Sequence, residues 1–120
     1  MSKHEIVHIE IPGKDTKAAG KFYGDLFGWK IVHDEDMNYT MFGEEGEIGG
    51  GFTQVEENNP VGRVVVYVST DDIEASLAKA EELGGKTVVP KSEIPMTGWF
   101  GIFTDPTGNY VGLYTPMPKE

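Results

Sequence analysis

The chain has 120 residues, 38% of them hydrophobic and 25% charged, with a formal net charge of −10 and no cysteine. That length suits one domain around one core, and the acidic balance excludes a phosphate-backbone or anionic-lipid partner, both of which need clustered Lys and Arg. Without cysteine there is no disulfide framework and no thiolate for metal or nucleophilic work; no apolar run nears the roughly 18 residues of a membrane span, and "MSKHEIVHIE" lacks a signal-peptide pattern, so the expectation is a cytoplasmic protein.

In chain order, "EIVHIEI" (5–11) reads as a strand closed by Pro12-Gly13, and Asp15 or Thr16 can cap a helix over 16–27. Ala19, Phe22, Tyr23 and Leu26 fall on one face of that helix, and Gly28 stands where a helix end favours a left-handed residue. "WKIVH" (29–33), "NYTMFG" (38–43) and "EIGGGFTQ" (47–54) follow as strands, and the acidic "HDED" (33–36) as a solvated turn. The polar stretch 55–62 reads as a linker.

The pattern then restarts. "RVVVYVS" (63–69) is a strand, and Asp71 with Glu74 makes a capping-box-like start to a helix of about 71–83 with Ile73, Leu77, Ala80 and Leu83 facing inward. "KTVV", "WFGIFT" and "NYVGLY" complete three strands, the last leaving the turn "DPTGN" (105–109) and carrying a bare glycine, Gly112, in its middle. A glycine inside a strand marks the close approach of a ligand or of another backbone. Shifting by 57 lays Asp15 on Asp72, Ala18 on Ala75 and Leu26 on Leu83; shifting by 62 lays Gly46 on Gly108, Gly50 on Gly112 and Phe52 on Tyr114. The expectation is an α+β chain of two tandem βαβββ modules, 4–54 and 63–116, whose curled mixed sheets enclose a shared cavity.

A His on the first strand, a helix containing "FYGDLFGWK" (22–30), "GGK" (84–86) after the second helix, and "DPTGN" before the last strand together resemble the vicinal oxygen chelate superfamily of glyoxalases, extradiol dioxygenases and bleomycin-resistance proteins. The resemblance covers nearly the whole chain and looks closest to the short group related to lactoylglutathione lyase. For metal-using members it implies four ligands, typically His, Glu, His and Glu, two per module. His8 falls on the first, Gly50 near the second with the "IGGGF" alignment uncertain by a residue, Val65 on the third and Gly112 on the fourth. One imidazole cannot hold an ion that needs about three protein ligands and an open position. No cofactor is therefore expected; an improvised site for zinc, nickel, iron or manganese would need His8 and Glu10, which share a strand face, plus Tyr39 or Tyr67.

The cavity lining is expected from His8, Glu10, Tyr39, Gly50, Phe52, Val65, Tyr67, Gly112 and Tyr114, with Trp99, Phe100 and Met96 on a segment serving as rim or lid. Glycines in place of ligands would open volume, and aromatic faces suit an organic ligand. Two readings follow: a module that binds or sequesters a small organic molecule, or a lyase-type enzyme in which His8 moves a proton and Glu10 sets its tautomer. No Ser/His/Asp triad, phosphate loop or dinucleotide fingerprint gives another enzyme class a footing. The resemblance also implies a homodimer.

Overall fold

The structure, a computed structural model, describes residues 4–118. Its strands and helices run in the order β1 (Ile6–Gly13), α1 (Thr16–Phe27), β2 (Ile31–Asp34), β3 (Tyr39–Phe42), β4 (Gly49–Gln54), β5 (Val65–Ser69), α2 (Ile73–Glu82), β6 (Lys86–Ile94), β7 (Gly98–Thr104) and β8 (Tyr110–Pro116). This is an α+β fold of two βαβββ repeats. Two compact units result, one of His8–Val65 and the other of the described residues up to Val7 together with the described residues from Val66 onward. Neither helix is long and apolar enough to cross a membrane.

In the His8–Val65 unit the strands lie in the order β2-β3-β4-β1, with β4 parallel to β1 and the other pairs antiparallel. Asp15 caps α1 by accepting a hydrogen bond from the Ala18 N–H at 3.1 Å, and Gly28 ends it in the left-handed region at φ 73°. The face that α1 turns to the sheet is the expected one only in part, with Ala19 and Tyr23 half-buried on it. Gly20 is its buried residue, while Phe22 and Leu26 are 60% and 58% exposed. A Cβ at Gly20 would lie 2.8 Å from Thr40 Cγ2, so the small side of the helix sets how closely it packs, and Tyr23 stacks on Phe52 beside it. Thr40 is buried there with its hydroxyl 2.8 Å from His33 Nδ1, which satisfies a polar group that would otherwise be costly. The linker is a hydrogen-bonded turn, with Val55 N–H donating to Gly13 O and an antiparallel bridge between Glu56 and Asn59.

In the second unit the order is β5-β8-β7-β6, with β5 parallel to β8. Asp72, rather than Asp71, caps α2 by accepting from the Ala75 N–H at 2.9 Å. Ile73, Leu77 and Leu113 form the core, with Val68, Trp99 and Phe103 packed on it, and Leu83 is exposed instead of facing inward. β6 is longer than "KTVV" predicts and runs through Pro90, which an edge strand with register shifts on either side of Val89 accommodates. The "DPTGN" turn is closed by Asp105, whose Oδ1 accepts from the backbone N–H groups of Thr107, Gly108 and Asn109 at 3.0, 2.9 and 2.9 Å. The Asn109 backbone bond and the Asn109 side-chain bond to Oδ2, followed by those of Gly108 and Thr107, hold the carboxyl below its ordinary value.

Candidate functional site

β1 alternates, with His8 and Glu10 on one face of the sheet and Ile9 and Ile11 on the other. β4 lies next to β1, and β3 next to β4. Tyr39 on β3 is therefore two strand spacings, about 9–10 Å, from β1. Its side chain crosses that gap and meets both polar groups. The Tyr39 hydroxyl lies 3.0 Å from His8 Nε2 and 3.1 Å from Glu10 Oε2, while His8 Nε2 and Glu10 Oε2 are 3.8 Å apart.

The crossing depends on Gly51. In register with Glu10, Gly51 lies under the tyrosine ring, where any Cβ would strike ring carbons and the phenol oxygen of Tyr39. A bare backbone on the middle strand is what lets β3 reach β1.

The hydrogen-bond directions follow from the acceptors. The Glu10 carboxylate accepts the phenol proton, so the phenol oxygen is left to accept from His8 Nε2–H, which fixes that imidazole nitrogen as protonated. Burial, and then the charge and hydrogen bond of Glu10, push the Tyr39 hydroxyl far above its ordinary value of 10.0. Tyr39 is thus a permanent hydrogen-bond donor and not a base at any physiological pH. His8 and Glu10 keep side-chain exposures of 32% and 23%, which leaves the assembly open to a ligand.

Of the expected site residues, the structure brings together His8, Glu10 and Tyr39. Two others belong to the opposite face. A Cβ on Gly50 would meet the Ile9 carbonyl and the Phe42 ring, and Phe52 is 2% exposed against Tyr23 and Phe42 on the α1 side. The glycine matching Gly112 is therefore Gly51, one residue along, and Phe52 matches Leu113; the repeat shift there is 61 and not 62. Three successive glycines in "IGGGF" hid which one faces the site.

In the second unit, Gly112 is in register with Tyr67, and a Cβ there would strike that ring. Neither glycine opens volume, contrary to expectation, because a tyrosine fills each space. Tyr114 shares the Gly112 face of β8 and donates to the Thr97 carbonyl at 3.3 Å. Val65 is buried at 6% exposure at the start of β5. Trp99 is not a lid. It is part of β7, packed on the Ile73 core with the Lys91 ammonium 5.2 Å from its ring. Phe100, on β7, is paired with Ser92 of β6 and Tyr114 of β8, and Met96 is 93% exposed in the turn before β7.

These placements bear on metal binding. Among the described residues no three His, Cys, Asp or Glu side chains gather as a ligand set. His8 Nε2 is engaged by a phenol, and carboxylates at positions 51 or 112 would collide with Tyr39 or Tyr67. The donors present do not fit a catalytic divalent ion, which needs three protein ligands and an open position.

A repeated βαβββ unit with a histidine on its first strand and a Gly108 turn before its last is the architecture of one class of proteins. The chain belongs to the Glyoxalase/Bleomycin resistance protein/Dioxygenase superfamily, whose model matches residues 5–113. It is 32% identical over 124 residues to a glyoxylase-like domain-containing protein of Didymella fabae, covering 96% of each chain. It is 31% identical over 113 residues to the putative glyoxylase CFP32 of Mycobacterium bovis, covering 88% of this chain and 43% of that protein, so it spans less than half of that relative. Its fold superimposes on methylmalonyl-CoA epimerase from Mycobacterium tuberculosis with a TM-score of 0.70 at 17% identity, over 98% of this chain and 90% of that one.

Proposed function

We propose that the chain binds a small organic molecule on the His8–Glu10–Tyr39 face, with no divalent ion among the first contacts. The observation that carries the reading is the Tyr39 hydroxyl lying between His8 and Glu10, above a glycine where a metal ligand is otherwise expected. The arrangement offers a ligand an oriented imidazole and a carboxylate beside an aromatic ring, the few fixed polar groups on an apolar frame that small-molecule sites use. A thermal-shift screen of organic acids, carbonyl compounds and planar aromatics on wild type, His8→Ala and Tyr39→Phe tests it. A ligand that stabilises wild type and loses about tenfold in affinity in either variant is the expected result; equal stabilisation of all three overturns the assignment.

One observation favours a second reading, an acid–base enzyme of the lyase type. Tyr39, itself tied to Glu10, fixes the tautomer of His8 as the orienting partner of a catalytic imidazole does. The names of the glyoxylase relatives point the same way. Turnover of a ligand found in the screen, abolished in His8→Ala with the fold intact, selects this reading over simple binding.

The proposal extends to a cytoplasmic homodimer. Exposed Phe22 and Leu26 on α1 supply apolar area for a second copy. Light scattering is expected to give twice the 13.2 kDa of one chain.

A further inference from the structure

Away from the His8 face, the aromatic side chains of the His8–Val65 unit form a ladder that runs from core to surface. Phe52 is 2% exposed, Phe42 9%, Trp29 37% and Phe27 57%. Successive rings are in contact, with centroids 5.6, 4.6 and 5.2 Å apart. The outer rungs, Phe27, Trp29 and Phe42, wall a cavity of about 370 Å³. A core aromatic has no reason to end half in water; a ladder that ends open exposes apolar surface of the kind that marks a binding site.

The same cavity is lined by the turn between β3 and β4, which carries Glu44 and Glu47. The turn is rigid. Glu47 N–H donates to Glu44 O at 3.0 Å, and Glu44 N–H donates to Glu47 Oε1 at 3.0 Å. At its base, Gly43 adopts φ 104° and lies against the Gly49 backbone, where a Cβ would come within 2.6 Å of the Gly49 Cα. Among the described residues of the lining, Lys30 is the one cation, against two carboxylates. The chain as a whole carries −10, which draws cations and repels anions over its surface.

We infer that this groove is a second binding site, for a small organic cation with an aromatic or alkylated ammonium group, held over the Trp29 and Phe27 rings and neutralised by Glu44 and Glu47. A π face attracts a cation through its quadrupole, and a carboxylate rim beside it adds the complementary charge. An organic anion would meet two carboxylates, and a neutral hydrocarbon would forgo both attractions. A metal ion would have to shed its tightly held water to reach the rings.

The two tryptophans, Trp29 and Trp99, give two indole N–H signals in a two-dimensional NMR spectrum, assigned with Trp29→Phe. Phenyltrimethylammonium titrated into the wild-type chain is expected to shift the Trp29 signal and leave that of Trp99 in place. Glu44→Gln with Glu47→Gln should weaken the response at least fivefold and flatten its salt dependence, while the amide oxygen introduced at position 47 still accepts the hydrogen bond that closes the turn. His8→Ala should leave the response unchanged, which separates this groove from the His8 face. A stronger response to benzoate would assign the site to Lys30 and overturn the inference. So would equal responses to choline and to its uncharged isostere 3,3-dimethylbutan-1-ol, a shift confined to Trp99, or no shift at all.

Discussion

The two repeats solve one steric problem in the same way and reach different chemistry. In each, a glycine on the closing strand lies under a tyrosine ring: Gly51 under Tyr39 and Gly112 under Tyr67. In the first repeat the ring comes from β3, on the far side of β4 from β1, and delivers its hydroxyl between His8 and Glu10. In the second the ring comes from β5, the strand that repeats β1, and the positions that repeat His8 and Glu10 are Val65 and Tyr67 themselves. The second repeat keeps the packing device with an apolar residue, Val65, where the imidazole would be. A glycine inside each of these strands is thus a requirement of the tyrosine above it.

The largest expected effect breaks both pairs. Gly112→Ala forces a methyl group into the buried Tyr67 ring and should cost about 1–3 kcal/mol, read as a lower denaturation midpoint. Adding Tyr67→Ala should cost less than the two single changes summed, since the cavity and the methyl group compensate; strict additivity would mean the ring does not rest on the glycine. Gly51→Ala with Tyr39→Ala repeats the cycle in the first unit.

Tyr39→Phe sharpens the contrast between the repeats. It keeps the ring over Gly51 but removes the hydrogen bonds to His8 and Glu10, and it should cost about 1–2 kcal/mol by chemical denaturation. Tyr67→Phe keeps the ring over Gly112 and should cost less stability than Tyr67→Ala.

Thr53 gives a smaller effect of opposite sign. Its hydroxyl is buried on β4 with no hydrogen-bond partner in the structure. Replacing it with the near-isosteric Val should be neutral or stabilise by up to about 1 kcal/mol, because the hydroxyl's desolvation is no longer uncompensated. A clear loss of stability in Thr53→Val would mean the hydroxyl is satisfied in solution.

The smallest effect lies in the pH dependence of the "DPTGN" turn. The Asp105 carboxyl is held below its usual 3.8, chiefly by its bonds to Asn109, so the folded state binds its proton more weakly than the unfolded chain does. The contribution is fully present above the usual value and is lost as pH falls through the folded one. Asp105→Asn should lower the melting temperature at neutral pH, and its difference from wild type should shrink on acidification towards about pH 2. A difference that grows with acid would contradict the assignment.

Much of the fold was legible because its signals are local. The helix over 16–27, the cap at Asp15 and the glycine at position 28 follow from residue chemistry within one turn, and the structure has all three. The inner face of α1 was legible only at Ala19 and Tyr23, because Phe22 and Leu26 outweigh glycine in any hydrophobic pattern, yet Gly20 makes the closest contact. For the site, strand alternation placed His8 and Glu10 on one face. What joins them is Tyr39, which arrives from 29 and more residues away across a bare strand. Which of Gly49, Gly50 and Gly51 is bare for that purpose is a matter of register, and a run of identical residues carries no register.

The most direct measurement of the central claim is elemental analysis of wild type and His8→Ala after incubation with zinc, nickel, iron and manganese and exhaustive dialysis, with ligand binding measured on the same samples. The expected result is no stoichiometric metal in either sample, and organic-ligand binding in wild type that His8→Ala loses. Close to one equivalent of metal in wild type, lost in His8→Ala, would show that the imidazole serves an ion and not the Tyr39 hydroxyl, and would contradict the account.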